Sequence, residues 1–263
     1  MQTKKFDMNS WCLCIPTLNR PDVLVKSIRQ AVQQTRPPGQ IVIVDASDDW
    51  ESTRQKIQEL IPDSLPIELR YVPCEIRSST TQRNLGADNC TQDVIFFFDD
   101  DAYMHHDCAE NIMSIYDADH ENKVAGIAGK HISQDPTAED GSNIASKDQV
   151  KQSKNIRMSL MHQFRKTFFG RWFMDKVLFH SMSDLFIMYD EPRVRDIPQK
   201  LKGFGVRSTP FLHGFSMTVR REVAVKEPFE PMLRYYAAFE DLDASYRYAK
   251  HGLLLNSDNA TVH

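Results

Sequence analysis

The chain contains few glycines and lacks the glycine-rich loops that bind phosphate in many nucleotide-binding proteins. It has 10 glycines in 263 residues, and none lies between Ile15 and Pro38, where the first predicted strand passes into the first predicted helix. A dinucleotide-binding GxGxxG turn and a P-loop both need glycines there, because their backbone approaches a phosphate closely. Both kinds of nucleotide site are therefore excluded at this position.

Cysteines are also few, and their spacing excludes two common uses. The chain has five, Cys12, Cys14, Cys74, Cys90 and Cys108, and none forms a CxxC pair. An odd number without paired spacing argues against a disulfide framework and against a zinc site. Cys12 and Cys14 alternate within a strand-like run, so we expect them to share one sheet face as reduced core residues.

The chain has no excess of positive charge and no long apolar run. Its formal net charge is -4, with 41% hydrophobic and 26% charged residues. A protein that binds nucleic acid usually has a basic footprint, so we expect no such partner. The first ten residues, MQTKKFDMNS, do not resemble a signal peptide, and no segment approaches the length of a membrane-spanning helix. These features predict a cytoplasmic location, and they do not indicate an oligomeric state.

Short apolar runs alternate with helical patterns in the first half of the chain. Continuous runs such as IVIV and VIFFF suit strands that are buried on both faces, and the alternation favours an α/β fold with a mixed, mostly parallel sheet flanked by helices. The predicted strands are Trp11–Ile15, Ile41–Asp45, Glu68–Val72, Val94–Phe98 and Val124–Ala128, and the predicted helices lie near Pro21–Thr35, Trp50–Ile61 and Ser78–Asn89.

The pattern changes near Ser133, where a polar, turn-rich segment begins. Regular alternation returns in a strand predicted at Phe211–Val219, which is followed by a helix from about Glu240 and a strand at Leu253–Leu255. We therefore predict one domain over residues 1–263 with a partly helical insertion. Its parts are a nucleotide-sugar-binding half (10–130), the insertion (131–210) and an acceptor and catalytic part (211–263).

The insertion contains a basic and aromatic segment. Between Lys151 and Lys176 there are seven Lys or Arg residues and one acid, Asp175, and large apolar residues recur at spacings of three and four. A helix of this kind over 151–179 could lie on an anionic membrane surface. The alternative, which is the commoner arrangement, is an amphipathic helix that packs on the catalytic domain or on a second copy of the chain.

Three aspartates, Asp99, Asp100 and Asp101, follow the most apolar predicted strand. The carboxyl ends of such strands are where open α/β sheets bind their ligands. If extended geometry continues, alternation puts Asp99 and Asp101 on the same side. Carboxylates so placed suit Mg²⁺ or Mn²⁺, which can bridge a diphosphate. An acidic turn is the alternative interpretation, and the buried strand before these residues favours the metal site.

A second acidic pair, Glu240 and Asp241, opens the helix-like segment FEDLDASYRYAKHG. Acidic residues in the first turn of a helix are common, because the helix dipole favours negative charge there. The alternative is a general base, which accepts the proton of an attacking hydroxyl. This segment taken alone favours the dipole interpretation.

The ends of the first two predicted strands also carry polar residues. Pro16 and Thr17 close the first strand, and Pro21 suits the first position of a helix. Asp45 ends the second strand, where an acid can reach a ribose or a base. A turn-forming aspartate is the alternative interpretation of Asp45.

Five blocks of sequence, taken in order, resemble the family 2 glycosyltransferases with the GT-A fold. The blocks are IPTLNRPDVLVKSI, IVIVDASDD, TTQRNLGAD, FFFDDDAYM and FEDLDASYRYAKHG, with NATVH after them. The combination is most similar to the branch that builds bacterial cell-surface polysaccharides. The resemblance covers residues 10–130 and 205–263, and it implies a Rossmann-like nucleotide-diphospho-sugar transferase fold.

The resemblance implies a role for each candidate site residue. The expected donor-binding residues are Pro16, Thr17, Arg20, Asp45, Arg83, Asp99 and Asp100. Asp101 and His263 are the expected metal ligands, and His213 and Gly214 belong to a segment that lines the sugar and acceptor pocket. Asp241 corresponds to the catalytic base and Glu240 to the acid before it. Phe239 departs from the family pattern, which usually has glycine or a small residue at this position.

These roles imply an inverting transfer of a sugar from a UDP-, dTDP- or GDP-sugar to a hydroxyl of a glycan or polyprenyl-linked acceptor. Mn²⁺ or Mg²⁺ is the expected cofactor, and the insertion would allow peripheral contact with the inner face of a membrane. Two alternatives stay open. One is a catalytically silent module that binds sugar nucleotides. The other is a sugar nucleotidyltransferase, which usually has the glycine-rich loop that this chain lacks.

Overall fold

A computed structural model of the chain describes residues 8–136, 196–233 and 239–263. The described residues form one mixed sheet of eight strands in the order β3-β2-β1-β4-β7-β5-β8-β6. The strand pairs β1–β2, β1–β4, β2–β3 and β5–β8 are parallel, whereas β7 is antiparallel to both of its neighbours and β6 is antiparallel to β8. The predicted α/β class with a mostly parallel sheet is confirmed.

The strands and helices have the following bounds. The strands are β1 (Trp11–Thr17), β2 (Gln40–Asp45), β3 (Glu68–Pro73), β4 (Val94–Phe98), β5 (Val124–His131), β6 (Val206–Ser208), β7 (Ser216–Arg220) and β8 (Leu253–Val262). The described helices are α1 (Pro21–Val32), α2 (Trp50–Leu60), α3 (Ser79–Asn89), α4 (Cys108–Ala118), α5 (Arg221–Lys226) and α6 (Glu240–Tyr248), with a 3-10 helix at Gln199–Phe204.

Strands β2 and β4 are buried along their whole length. Their side chains alternate between two apolar clusters, one on each face of the sheet. Cys12 and Cys14 lie together in one of these clusters as free, buried thiols, which confirms their predicted place in the core. Alternation of this kind leaves few polar groups inside the sheet, so the chemistry is concentrated where the strands end.

Several elements differ from the sequence predictions. Helices α4 and α5 and strand β6 were not predicted, and β5 extends to His131. Strand β8 extends to Val262 instead of ending at Leu255, because residues after Leu255 pair with β5 and β6. Strand β7 begins at Ser216, since the chain turns at His213 and the Ser216 N–H donates to the His213 carbonyl.

The basic and aromatic segment 151–179 and most of the predicted insertion lie outside the described residues. Among the helices that are described, none is long and apolar enough to cross a membrane.

Candidate active site

The three aspartates lie in a turn and not in a continued strand. Strand β4 ends at Phe98, and the Ala102 N–H donates to the Asp99 carbonyl over 3.1 Å, which closes the turn. The expectation that Asp99 and Asp101 share one side by strand alternation is therefore wrong. The turn directs Asp99 towards Arg83, whereas Asp100 and Asp101 both face Arg20.

Asp100 is the buried member of the triad and links the ends of β4 and β1. The Thr17 hydroxyl donates to Asp100 Oδ2 over 2.8 Å, and Arg20 contacts Asp100 Oδ1 at 3.0 Å. Burial raises the pKa of Asp100 to about 6, although the hydrogen bond from Thr17 and the charge of Arg20 lower it. This carboxylate therefore forms part of the frame of the site.

Arg20 joins the buried and the exposed aspartates. It precedes α1, and its second guanidinium nitrogen donates to Asp101 Oδ2 over 2.6 Å. The Asp101 side chain is 52% exposed and that of Arg20 is 45% exposed. Arg20 is thus a cation that bridges two carboxylates at the mouth of the site.

Arg83 connects the triad with the start of α6. Its side chain is 2% exposed, and it contacts Asp99 at 2.7 Å, Glu240 at 3.0 Å and the Gly214 carbonyl at 3.2 Å. Burial alone would lower the pKa of Arg83, but Asp99 and Glu240 raise it by more, so the guanidinium stays charged. Two acidic motifs that lie 141 residues apart in sequence therefore meet around one buried cation.

Asp241 lies in the first turn of α6 with both carboxylate oxygens held by backbone N–H groups. Gly214 donates to Oδ2 over 3.0 Å and Leu242 donates to Oδ1 over 2.8 Å. A methyl group on Gly214 would lie 3.2 Å from the Asp241 Cβ, a tight contact, so the close approach of these two residues favours glycine. Before the helix, Phe239 has a positive φ of 73°, which explains why glycine would fit there.

Asp45 is more deeply buried than a side chain that contacts a bound nucleotide would be. Its side chain is 1% exposed, and its two oxygens accept hydrogen bonds from the Ser47 N–H and the Tyr71 hydroxyl. This geometry matches the alternative interpretation, a turn-forming aspartate. A direct contact between Asp45 and a nucleotide stays a prediction.

Asp101 and His263 belong to the same corner of the structure, because His263 and Tyr103 exchange two backbone hydrogen bonds of 2.9 Å. His263 Nδ1 lies 3.2 Å from the Ile132 carbonyl, to which it can donate, and in a neutral ring with this tautomer Nε2 keeps its lone pair. Histidines that bind metals commonly donate their other ring nitrogen to a carbonyl in this way.

In the described part of the chain, no group of three or more His, Cys, Asp or Glu side chains could hold a metal. A site that takes one or two protein ligands and completes its coordination with substrate phosphates does not need such a group. The exposed Asp101 carboxylate and the His263 imidazole fit that kind of site.

The remaining predicted residues surround these contacts. Pro16 lies in β1 beside Val44 of β2, and His213 packs its ring against Phe211 at 4.9 Å in the turn before β7. The Asp99 N–H donates to the Phe215 carbonyl, so this turn runs along the end of β4.

Sequence reasoning missed three residues that hold the site together. Gln82 donates to the carbonyls of Thr17 and Val44 and ties the ends of β1 and β2, and Asn84 bonds Phe229 in both directions. Tyr71 is the third, through its bond to Asp45. The block TTQRNLGAD, which contains Gln82, Arg83 and Asn84, was the signal in the sequence that could have pointed to two of them. Its three polar residues contact three different segments of the chain.

Comparison with known proteins identifies the family. Residues 12–192 match the family model described as Glycosyl transferase family 2, which is well over half of the chain. The chain belongs to this family. A search of curated protein sequences gives no significant match.

Several solved structures are similar along nearly the whole chain. S. aureus TarS superimposes with a TM-score of 0.57 and 12% identity, over 96% of this chain and 36% of TarS. The mannosyltransferase PcManGT from Pyrobaculum calidifontis, in complex with GDP-Man and Mn²⁺, gives 0.57 and 15%, over 97% and 56%.

A structure of TarS 1-349 in complex with UDP gives a TM-score of 0.55 and 12% identity, over 96% of this chain and 59% of that one. The chain thus spans between 36% and 59% of these proteins, and at such low identity the likeness establishes the GT-A fold alone.

Proposed function

We propose that this chain is an inverting glycosyltransferase that moves a sugar from a nucleoside-diphosphate donor to an acceptor hydroxyl. The observation that carries the proposal is the contact of Arg83 with both Asp99 and Glu240. It brings the acidic turn after β4, suited to a donor diphosphate and its cation, next to the helix that carries Asp241. A transferase needs these two functions side by side, whereas a binding module needs only the first.

In the proposed reaction, Asp241 accepts the proton of the acceptor hydroxyl while that oxygen bonds to the anomeric carbon. The bond from this carbon to the diphosphate breaks on the opposite side, so the configuration inverts and the nucleoside diphosphate leaves. The N–H groups of Gly214 and Leu242 keep the Asp241 carboxylate in one orientation. Such fixed orientation contributes to the rate because the base needs no rearrangement.

On the donor side, Thr17, Arg20, Asp99 and Asp100 are the residues we propose to surround the nucleotide and diphosphate, together with Pro16 and Asp45. Mn²⁺ or Mg²⁺ held by Asp101 and His263 would supply positive charge beside the leaving group. The Mn²⁺ and GDP-Man in the PcManGT structure support this choice of cofactor and donor class.

Three further parts of the proposal rest on the sequence. The acceptor is a glycan or a polyprenyl-linked glycan of a bacterial surface polysaccharide, which His213 and Gly214 would help to bind. The enzyme works in the cytoplasm. The whole of residues 1–263 acts as one GT-A domain with an insertion at 131–210.

The proposal is tested with a panel of UDP-, dTDP- and GDP-sugars, each with Mn²⁺, Mg²⁺ or EDTA. Thermal stability reports binding, because a ligand that binds the folded state raises the apparent stability. Release of the nucleoside diphosphate reports turnover, and NMR of the anomeric proton of a transfer product reports inversion. We expect one nucleotide class to stabilise the protein and to be cleaved slowly in the presence of metal.

Other outcomes would contradict the proposal. Stabilisation by a sugar nucleotide without any cleavage, even with candidate acceptors, would indicate a silent binding module. Consumption of a nucleoside triphosphate and a sugar phosphate with release of pyrophosphate would indicate a nucleotidyltransferase.

A further inference from the structure

The two arms of Arg20 are held in different ways. One arm contacts Asp100, which is 4% exposed and also accepts the hydrogen bond from Thr17. The other contacts Asp101, whose side chain is half exposed. A pair in a solvent-exposed position contributes little to stability and exchanges readily. Arg20 therefore has an anchored arm on Asp100 and an exchangeable arm on Asp101.

The exchangeable arm of Arg20 binds the carboxylate of Asp101, which is the proposed metal ligand. Around it, Asp99, Asp100, Asp101 and Glu240 supply four negative charges, and Arg20 and Arg83 supply two positive ones, which leaves a formal charge of -2. Arg83 is buried on the Glu240 side, so Arg20 is the cation in contact with Asp101. A bare dication must displace it and then lie beside it.

A dication that binds together with a diphosphate is repelled less by Arg20 than a bare dication is. The diphosphate neutralises the metal, and its oxygens are acceptors for the guanidinium arm that Asp101 releases. The loss of the Arg20–Asp101 bond is thus compensated only when both components are present.

We propose that Arg20 is a latch that closes Asp101 to a bare cation and makes cation binding depend on the nucleoside diphosphate. This inference rests on the proposed function, since it assumes that Asp101 is a metal ligand. It assigns Arg20 a second task besides donor binding, which is to couple the two ligands. By linkage, Arg20 strengthens the dependence of nucleotide binding on metal by the same factor.

The latch predicts that Arg20→Gln strengthens the binding of bare Mn²⁺ and weakens the coupling between Mn²⁺ and the nucleotide. A unit charge a few ångströms from a cation at a half-exposed site alters its affinity about tenfold. Bare Mn²⁺ should therefore bind Arg20→Gln about tenfold more tightly than it binds the native chain. The factor by which UDP or GDP tightens Mn²⁺ binding should fall by at least the same amount.

Electron paramagnetic resonance of free Mn²⁺ measures these affinities directly, without turnover, in the presence and absence of UDP and of GDP. Arg77→Gln is the matched control, because it removes a positive charge from an exposed pair with Asp48 and leaves the triad intact. Arg77→Gln should leave the Mn²⁺ affinity unchanged, both with and without the nucleotide. The double variant Arg20→Gln/Asp101→Asn should lose the tighter Mn²⁺ binding, which shows that the gain depends on Asp101.

The results separate the latch from the proposed function. If Arg20→Gln binds bare Mn²⁺ no more tightly than the native chain, while the nucleotide still tightens Mn²⁺ binding to the native chain, the latch is wrong and the metal site stands. If neither UDP nor GDP tightens Mn²⁺ binding to the native chain, the proposed metal-dependent donor site and the latch both fail.

Discussion

Replacing Arg83 with methionine removes the buried cation that holds Asp99 and Glu240 together. The side chain is 2% exposed and makes two ion pairs and one hydrogen bond to a carbonyl, all between 2.7 and 3.2 Å. Removing one partner of a buried ion pair costs about 3–5 kcal/mol, because the remaining charge has no compensation. Asp99 retains some contact with water, so we expect the lower end, about 3 kcal/mol.

The exposed pair of Arg207 with Asp258 provides the matched control. Arg207 also donates two hydrogen bonds to its partner, but its side chain is 67% exposed. Such a pair contributes at most about 1 kcal/mol. Urea unfolding followed by circular dichroism should place the midpoint of Arg83→Met well below that of Arg207→Met. Equal midpoints for the two variants would refute the role of Arg83 as a buried junction.

The layered fold could be predicted from sequence, because buried strands and amphipathic helices have different periods of hydrophobicity. Strand β4 has the predicted bounds, Val94–Phe98, and α3 differs by one residue. The end of β8 was missed because Asn256, Ser257, Asp258 and Asn259 are polar, and a run of polar residues does not predict a strand. Asn256 pairs with both β5 and β6, and Ser257 pairs with β6, so the sheet continues into this run.

The candidate site was predictable as a set of residues but not as a set of contacts. The sequence places Asp99–Asp101 after a buried strand, yet it does not reveal that the chain turns at once and separates Asp99 from Asp101. Arg83 was predicted to lie near the donor, and its contact with Glu240 depends on a pairing across 157 residues. Contacts of this range are set by the topology of the sheet and not by local pattern.

Two further changes test other parts of the fold. Burial raises the pKa of Asp117, but hydrogen bonds from Arg36 and Asn9 lower it by more, so the net shift is downward. The stability that this group contributes is complete above its ordinary pKa of 3.8 and is lost as the pH falls through the lower pKa of the folded state. In urea unfolding, Asp117→Asn should therefore be less stable than the native chain at pH 7 and nearly as stable near pH 2. A difference in unfolding free energy that stays the same at both pH values would contradict this. Phe239 has a left-handed backbone, which is strained for a residue with a side chain, and it is 59% exposed, so little packing would be lost with the ring. Phe239→Gly should therefore raise the unfolding free energy by about 1 kcal/mol. A lower thermal midpoint for Phe239→Gly would contradict this.

The role of Asp241 as the base is the central claim, and its loss can be compared with the loss of another carboxylate on the same helix. Asp243 pairs with Arg247 at 2.6 Å, whereas the Gly214 N–H donates to Asp241, so Asp243→Asn controls for charge and helix stability. The decisive measurement is kcat with the sugar nucleotide that the native chain cleaves, together with the Kd of that donor, for both variants and the native chain. Asp241→Asn should bind the donor normally and lose about 10²–10⁴-fold in kcat, and Asp243→Asn should keep most of its turnover. Near-native kcat in Asp241→Asn, or an equal loss in Asp243→Asn, would contradict the assignment of Asp241 as the catalytic base.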